Sequence, residues 1–279
     1  MKHAGINERD ISLYLAYLVK EEKAAATVEK YGCAVRAFRR WLEGAAASQE
    51  SAVAYKAALS ETHAASSVNA ALAALNSFFR FMGWAIHVKP LKTQRQTFLS
   101  EEKELTRGEY ERLLKVAKAE GDERLYAALQ TICATGIRAS ELRFMTVSAA
   151  RTGQAVIRNK GKTRTAFLPS KLQTALLRYA KERGIQSGAI FITKKGKPLD
   201  RKSIWAGMKK LCAAARVAAS KAFPHNLRRL FARLFYKKEK DIMHLADVLG
   251  HSDVNTTRLY VRESETKHRQ RVEALCLVT

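Results

Sequence analysis

The sequence predicts a mainly α-helical protein of two domains, the first a four-helix unit and the second α+β with a small antiparallel sheet. Three observations carry this. The chain has 279 residues, nearly twice the ~150 residues of an ordinary domain. It contains only 14 Gly and 4 Pro, too few for a loop-rich or all-β protein, and its Ala/Leu/Lys/Arg stretches favour helix. Its apolar residues recur at helical spacing along most of the length and alternate as in a strand in one short region.

The elements follow in order. Ile11, Tyr14, Leu15 and Leu18 form one helical stripe. Val28, Tyr31, Val35, Phe38 and Leu42 step by three and four and form a second. A short third helix is expected from Val53 to Leu59, and a fourth on Val68, Leu72, Leu75, Phe79 and Met82 that stops near Gly83. These make a domain over residues 1–88. Residues 89–104 lack periodicity and read as an exposed linker. The second domain spans 105–279. Its first helix is announced by the capping box Thr106-Arg107-Gly108-Glu109. A helix over 125–133 follows, then two strands around a basic turn in 154–168. Helices return at 171–183, 201–218, 226–236 and 241–249. An amphipathic tail over about 263–279 ends on Val272, Leu275, Leu277 and Val278.

Charge narrows the function. Fifty Lys+Arg against 26 Asp+Glu give +24, a surface that attracts polyanions, nucleic acid first among them. Residues 1–92 hold 12 Lys+Arg and 8 Asp+Glu, leaving 38 and 18 for residues 93–279, so about +20 sits on the second domain. No run of 18 apolar residues is present, which speaks against a transmembrane helix. The N-terminus lacks the apolar core of a signal peptide. Four scattered Cys with no CxxC argue against a zinc site or a disulfide framework, and a cytoplasmic protein is expected.

Several short segments combine chemistry-bearing residues. In Ala134-Thr135-Gly136-Ile137-Arg138-Ala139-Ser140-Glu141-Leu142, the Thr-Gly pair breaks one helix and places Arg138 at the start of the next. Arg138 and Glu141 share a face; alone, such a pair reads equally as surface decoration. In Pro224-His225-Asn226-Leu227-Arg228, a proton-transfer group and a fixed cation share a helix face, which suits a phosphate, although a solvated turn would look the same. In Leu249-Gly250-His251-Ser252-Asp253, a Gly-His turn ends one helix and Ser252 or Asp253 caps the next, which leads to Tyr260. A lone tyrosine is usually packing. The hairpin run Gly161-Lys162-Thr163 imitates the end of a nucleotide phosphate loop, but that motif needs a glycine where Val156 stands. His244 lies on a helical stripe with Ile242, Leu245 and Leu249 and reads as packing or surface.

Taken together and in this order, these segments resemble the tyrosine recombinases, the phage-integrase family with its Xer-type and Cre-like site-specific recombinases. The run LADVLGHSDVNTTRLYVR (245–262) is similar to the family's signature around its nucleophile, and the first domain looks like the family's helical, SAM-like core-binding domain. The resemblance implies the tyrosine recombinase fold and an enzyme that cuts and rejoins DNA. Strands would pass through a 3′-phosphotyrosyl intermediate and a Holliday junction, in integration or excision, inversion or resolution. Position by position it implies Tyr260 as nucleophile, Arg138 and Arg228 as a clamp on the scissile phosphate, and His251 as a further donor to it. His225 would sit beside the attacking oxygen as a candidate proton acceptor, and Glu141 would give structural support. Relatives often read Gly-Lys-Gly-x-Lys in the hairpin, whereas this chain runs Asn159-Lys160-Gly161-Lys162, one residue short; Lys160 is the expected general acid and Lys162 the alternative. Relatives commonly carry His where this chain has Arg229, which is expected to lie adjacent to the catalytic set rather than within it.

The family reading further implies no cofactor and no metal, double-stranded DNA with an inverted-repeat core site as partner, and a homotetramer on synapsed DNA. The tail would dock on a neighbouring subunit. A bacterial or phage-type, nucleoid-associated enzyme of a mobile genetic element is expected, of simple-site type, since the chain leaves little length for an arm-binding domain. Two other readings stand beside it: a basic DNA-binding protein without catalysis, and a type IB topoisomerase-like enzyme. A covalent protein–DNA adduct separates the first from the recombinase, and site-independent plasmid relaxation the second.

Overall fold

The computed structural model describes residues 5–93, 101–159, 162–193, 195–261 and 265–275; of residues 101, 159, 162 and 265–268 it describes the backbone alone. The chain divides into two compact units, Met1–Arg95 and Gln96–Thr279.

The first unit contains α1 (Glu8–Lys20), α2 (Ala25–Trp41), α3 (Gln49–Thr62) and α4 (Ala65–Phe81). Its core is the set of stripes the periodicity marks, with Tyr14, Val35, Phe38, Leu72, Phe78 and Phe79 all fully buried. The third helix is twice as long as expected and turned differently. Ser48 and Ser51 cap each other at its start, which sets the helix phase so that Ala52 and Tyr55 face inward while Val53 is 49% exposed. The stretch after α4 is also not a free linker at its beginning. Asn76 and Asn69, two turns apart on α4, each clamp a backbone amide and carbonyl, of Val88 and Leu91 respectively. These side-chain amides act like a neighbouring strand, satisfying chain that no sheet covers.

The second unit opens with a 3₁₀ turn, Glu101–Lys103, and here too the expected exposed linker is contradicted: Glu104 is buried and ion-paired to Arg229 and Arg233. Then come α5 (Arg107–Ala119) and α6 (Glu123–Thr135). The Thr106–Glu109 capping box forms as the sequence predicts. Arg138 does not start an α-helix; it caps a 3₁₀ turn, Ala139–Phe144. A short helix the periodicity does not reveal, α7 (Val147–Thr152), is set by its Thr146 cap and by Gly153 at positive φ. The strands β1 (Gln154–Asn159) and β2 (Lys162–Phe167) pair antiparallel, with Ile157 opposite Arg164. The chain continues through α8 (Ser170–Glu182), α9 (Arg201–Ala215), α10 (Pro224–Glu239), α11 (Ile242–Leu249), α12 (Val254–Arg258) and α13 (Glu265–Glu273). Helix α6 packs between α5, α8, α9 and α10, which is why it is buried on nearly every side. Among the described residues no helix is long and apolar enough to cross a membrane.

Candidate active site

Four short elements bring the predicted residues together, and each is placed by a local rule. The Gly136 residue ends α6 in the left-handed conformation (φ 66°), which glycine adopts without steric cost. A Cβ there would lie 2.4 Å from the Phe231 ring. The tight exit delivers Arg138 to the cap of the next turn, where Glu141 accepts from its amide at 2.8 Å and from its guanidinium at 3.0 Å. Glu141 is nearly fully buried, and its Oε2, which takes the Arg138 amide, also accepts from Arg164 at 2.7 Å. Burial pushes the Glu141 carboxyl up, but the Arg138 amide and the two guanidiniums outweigh it and hold it below the ordinary carboxylate value. Glu141 is thus a charged brace between Arg138 and Arg164.

Helix α10 starts with Pro224 in its first turn, a position that tolerates proline. It presents His225 and Arg228. Arg228 is 1% exposed. Its guanidinium donates to the carbonyls of Gly136 at 2.5 Å and Leu249 at 2.7 Å, and to His251 Nε2 at 2.8 Å. Burial, then Arg138, lowers its pKa to about 10, still cationic at neutral pH. The Leu249 carbonyl is available because Gly250, at φ 66°, ends α11.

His251 follows, with Nδ1 2.8 Å from Thr257 Oγ1. Since guanidinium only donates, Nε2 accepts and Nδ1 carries the proton. Burial, then Arg228, pushes the pKa of His251 down to about 4; burial, then Arg229, does the same to His225. Both imidazoles are therefore neutral at pH 7.

Tyr260 follows α12 and is 6% exposed, packed with Ala232, Leu245 and Leu249. The two imidazoles meet its ring edge-on, His225 at 5.2 Å and His251 at 5.3 Å between centroids. Beside this group a cleft of about 650 Å³ is lined by Arg138, Arg164, Thr163, His251 and Ser252 among others. The lining pairs these two arginines with two carboxylates, Glu141 and Asp247; Glu141 is engaged by both arginines, and Arg138, its side chain 41% exposed, presents a cation to an entering anion.

Of the sequence-predicted set, Arg138, Glu141, His225, Arg228, His251 and Tyr260 converge on this one place. Lys160 lies outside the described residues, and of Lys162 only the backbone, at the start of β2, is described. Arg229 departs from its expected place outside the set: its guanidinium lies over the Tyr260 ring, 5.9 Å from the centroid. Sequence reasoning also passes over Arg164 and Thr257. Arg164 joins Glu141 to the Val248 carbonyl, at 2.9 Å, and so ties the hairpin to the Gly-His turn. A signal for it exists: by strand alternation it shares a face with the buried Ala166, and an inward-pointing arginine asks for a partner.

A buried arginine, two neutral imidazoles and a phenol beside a cleft that presents Arg138 suit phosphodiester chemistry through tyrosine. The chain belongs to the phage integrase family, whose catalytic-domain model matches residues 103–267 and whose N-terminal SAM-like domain model matches residues 11–85. It is a tyrosine recombinase, a DNA breaking and rejoining enzyme. Tyrosine recombinase XerA of Pyrococcus furiosus is 26% identical over 282 residues, covering 98% of this chain and 96% of the relative. XerH site-specific recombinase, in a pre-cleavage complex with difH substrate, superposes with a TM-score of 0.73 at 17% identity, covering 98% of this chain and 99% of that one. A lambda integrase tetramer bound to a Holliday junction gives 0.69 at 18% identity, covering 90% and 76%.

Proposed function

We propose that this chain is a site-specific recombinase that exchanges DNA strands through a covalent 3′-phosphotyrosyl link. The observation that carries it is the packing of neutral His225 and His251 against Tyr260, with Arg228 buried alongside.

Tyr260 Oη attacks the scissile phosphorus. The O–P bond forms as the bond to the 5′-oxygen breaks. A phenol has an ordinary pKa near 10 and attacks poorly, so it needs a proton acceptor. His225 is neutral at pH 7 and lies against the ring, which suits that role. Arg138 and Arg228 neutralise the two non-bridging oxygens, where negative charge grows in the transition state. In the free protein Arg228 is already held by two carbonyls, so its orientation is fixed before the phosphate arrives. His251 has its only ring proton on the Thr257 side. To donate to the phosphate from Nε2 it takes up a second proton, which a neighbouring anion favours. The leaving 5′-oxygen receives its proton from a hairpin lysine, Lys160 or otherwise Lys162, an assignment that rests on the family resemblance.

A 5′-hydroxyl of another strand reverses the step: it attacks the phosphotyrosine and returns the phenol. One phosphoester replaces another at each stage, so the exchange needs no nucleotide energy, and two rounds pass through a Holliday junction. The substrate is double-stranded DNA with an inverted-repeat core, bound by a homotetramer, in integration, excision, inversion or resolution. The family tetramer on a junction supports this arrangement. Val272 and Leu275 of the tail are 55% and 60% exposed, which supports a helix that docks in trans; Leu277 and Val278 lie outside the described residues. Deleting residues 265–279 is expected to abolish cooperative assembly while leaving cleavage of a single site.

The test is covalent capture. Nicked duplexes with a randomised core are incubated with the chain, and SDS-stable adducts are recovered and sequenced. The wild type is expected to trap a defined core with an inverted repeat, and Tyr260→Phe to trap none. No adduct from any core would leave a DNA-binding protein without catalysis.

A further inference from the structure

Arg229 stands where relatives commonly carry His, and the structure puts it in contact with the nucleophile. It lies one turn beyond His225 on α10, with its guanidinium over the face of the Tyr260 ring. The same guanidinium donates to Glu104 at 2.6 Å. Glu104 is 3% exposed, and Arg233, one turn further along α10, approaches its second oxygen at 3.3 Å. Asn226, on the same helix, donates to the Lys103 carbonyl at 2.8 Å, and Arg233 donates to the Leu105 carbonyl. Three side chains over about two turns of α10 thus grip residues 103–105.

We propose that Arg229, held in place by Glu104, is a positioning residue for the Tyr260 nucleophile. This deepens the function proposed above and rests on it. An arginine without a fixed partner samples many rotamers, and a buried carboxylate selects one. A cation over an aromatic face is attracted to the ring's electron density. Arg229 therefore holds the Tyr260 ring in the place from which it attacks. No bond to Arg229 forms or breaks; the proton still passes to His225.

The same cation acts on the acceptor. His225 faces Arg228 and Arg229 of its own helix, Arg201 of α9, Arg138, His251 and Tyr260. Of these charges Arg229 is the strongest influence keeping it unprotonated. Without Arg229 the Tyr260 ring loses that contact and His225 becomes protonated at a higher pH. The loss of rate is therefore greatest at low pH. A residue that only supported the fold would lower the rate by the same factor at every pH.

The test is the single-turnover rate of adduct formation from about pH 5 to about pH 8, a range that starts between the lowered His225 value of about 4 and the ordinary His value near 6.5. The DNA is a nicked duplex that the wild type captures. Arg229→Ala is expected to slow capture about tenfold at the low end and less at the high end. Arg229→Lys keeps a cation there and is expected to recover most of the rate, with Glu104→Gln between the two. Should Arg229→Ala fail to fold, the other two decide by the same pH criterion. Arg229→Ala within about twofold of wild type throughout, or slowing that is independent of pH and not relieved by lysine, would overturn the role. No adduct from the wild type would overturn the function itself, and this role with it.

Discussion

Replacing Gly250 by alanine tests whether the site is braced through Arg164. Gly250 sits at φ 66°, and a Cβ there would lie 2.2 Å from Arg164 Cδ and 2.7 Å from its Nε. Arg164 has little freedom to yield, being fixed at one end to the Val248 carbonyl and at the other to Glu141. Alanine in the left-handed region costs about 1 kcal/mol. Driving Arg164 off Glu141, whose side chain is 2% exposed, leaves a buried carboxylate short of a partner, at about 3 kcal/mol. The sum, about 4 kcal/mol, is a large share of a domain's stability of roughly 5–15 kcal/mol. Trp205 is the sole tryptophan of the second unit, so urea unfolding followed by its fluorescence, with Trp41 and Trp84 changed to Phe, reads that unit alone. In an Arg164→Ala background the clash is gone, and Gly250→Ala is expected to cost only about 1 kcal/mol. Equal cost in both backgrounds would show that the penalty does not arise from Arg164.

Three further outcomes follow from the same geometry. His225 and His251 have pKa values lowered to about 4, so the unfolded chain binds their protons first. Their contribution to stability is complete above about pH 6.5 and is lost as pH falls toward 4; urea midpoints across this window are expected to decline, and less steeply in His225→Gln. Arg228→Lys loses the planar fork that serves two carbonyls, which leaves a buried acceptor unsatisfied at about 1–3 kcal/mol and slows covalent capture by about 10²–10³, as removal of a preorganised donor does. Binding to the captured duplex is expected to weaken by roughly 10³–10⁵ between 50 and 200 mM salt if some 6–10 phosphates are contacted, measured by fluorescence anisotropy; salt-independent binding would contradict a backbone-tracking interface.

The helices were legible because each buries one stripe, as Val35 and Phe38 or Leu72 and Leu75 show. The third helix was misjudged because its inward residues are Ala52 and a single aromatic, Tyr55, too weak a stripe to mark its phase, and its start depends on a serine pair. The ends of the presumed linker looked free because their partners lie far along the chain: Asn69 serves Leu91, and Arg229 serves Glu104 across 125 positions. No local pattern encodes such pairs. The same limit applies to the site. The order of motifs names Arg138, His225, Arg228, His251 and Tyr260, but contacts that orient them come from Arg164 and Glu104, which belong to no motif, and from Thr257, which the signature run contains without marking it.

The charge balance takes on a different meaning once those contacts are counted. A net +20 on the second domain would repel itself if every cation faced the cleft. Instead Arg164 is committed to Glu141 and Val248, Arg228 to two carbonyls and His251, and Arg229 to Glu104. Arg138 alone of these four is substantially open, its side chain 41% exposed. The site thus holds its cations in place with internal acceptors and two buried carboxylates. A preorganised site of this kind does not need to reorganise when charge develops on the phosphate. Burial first, and then these arginines, keep the two histidines neutral: a fifth and a sixth positive group packed here would have no negative charge left to meet them, and the anion itself must supply that compensation.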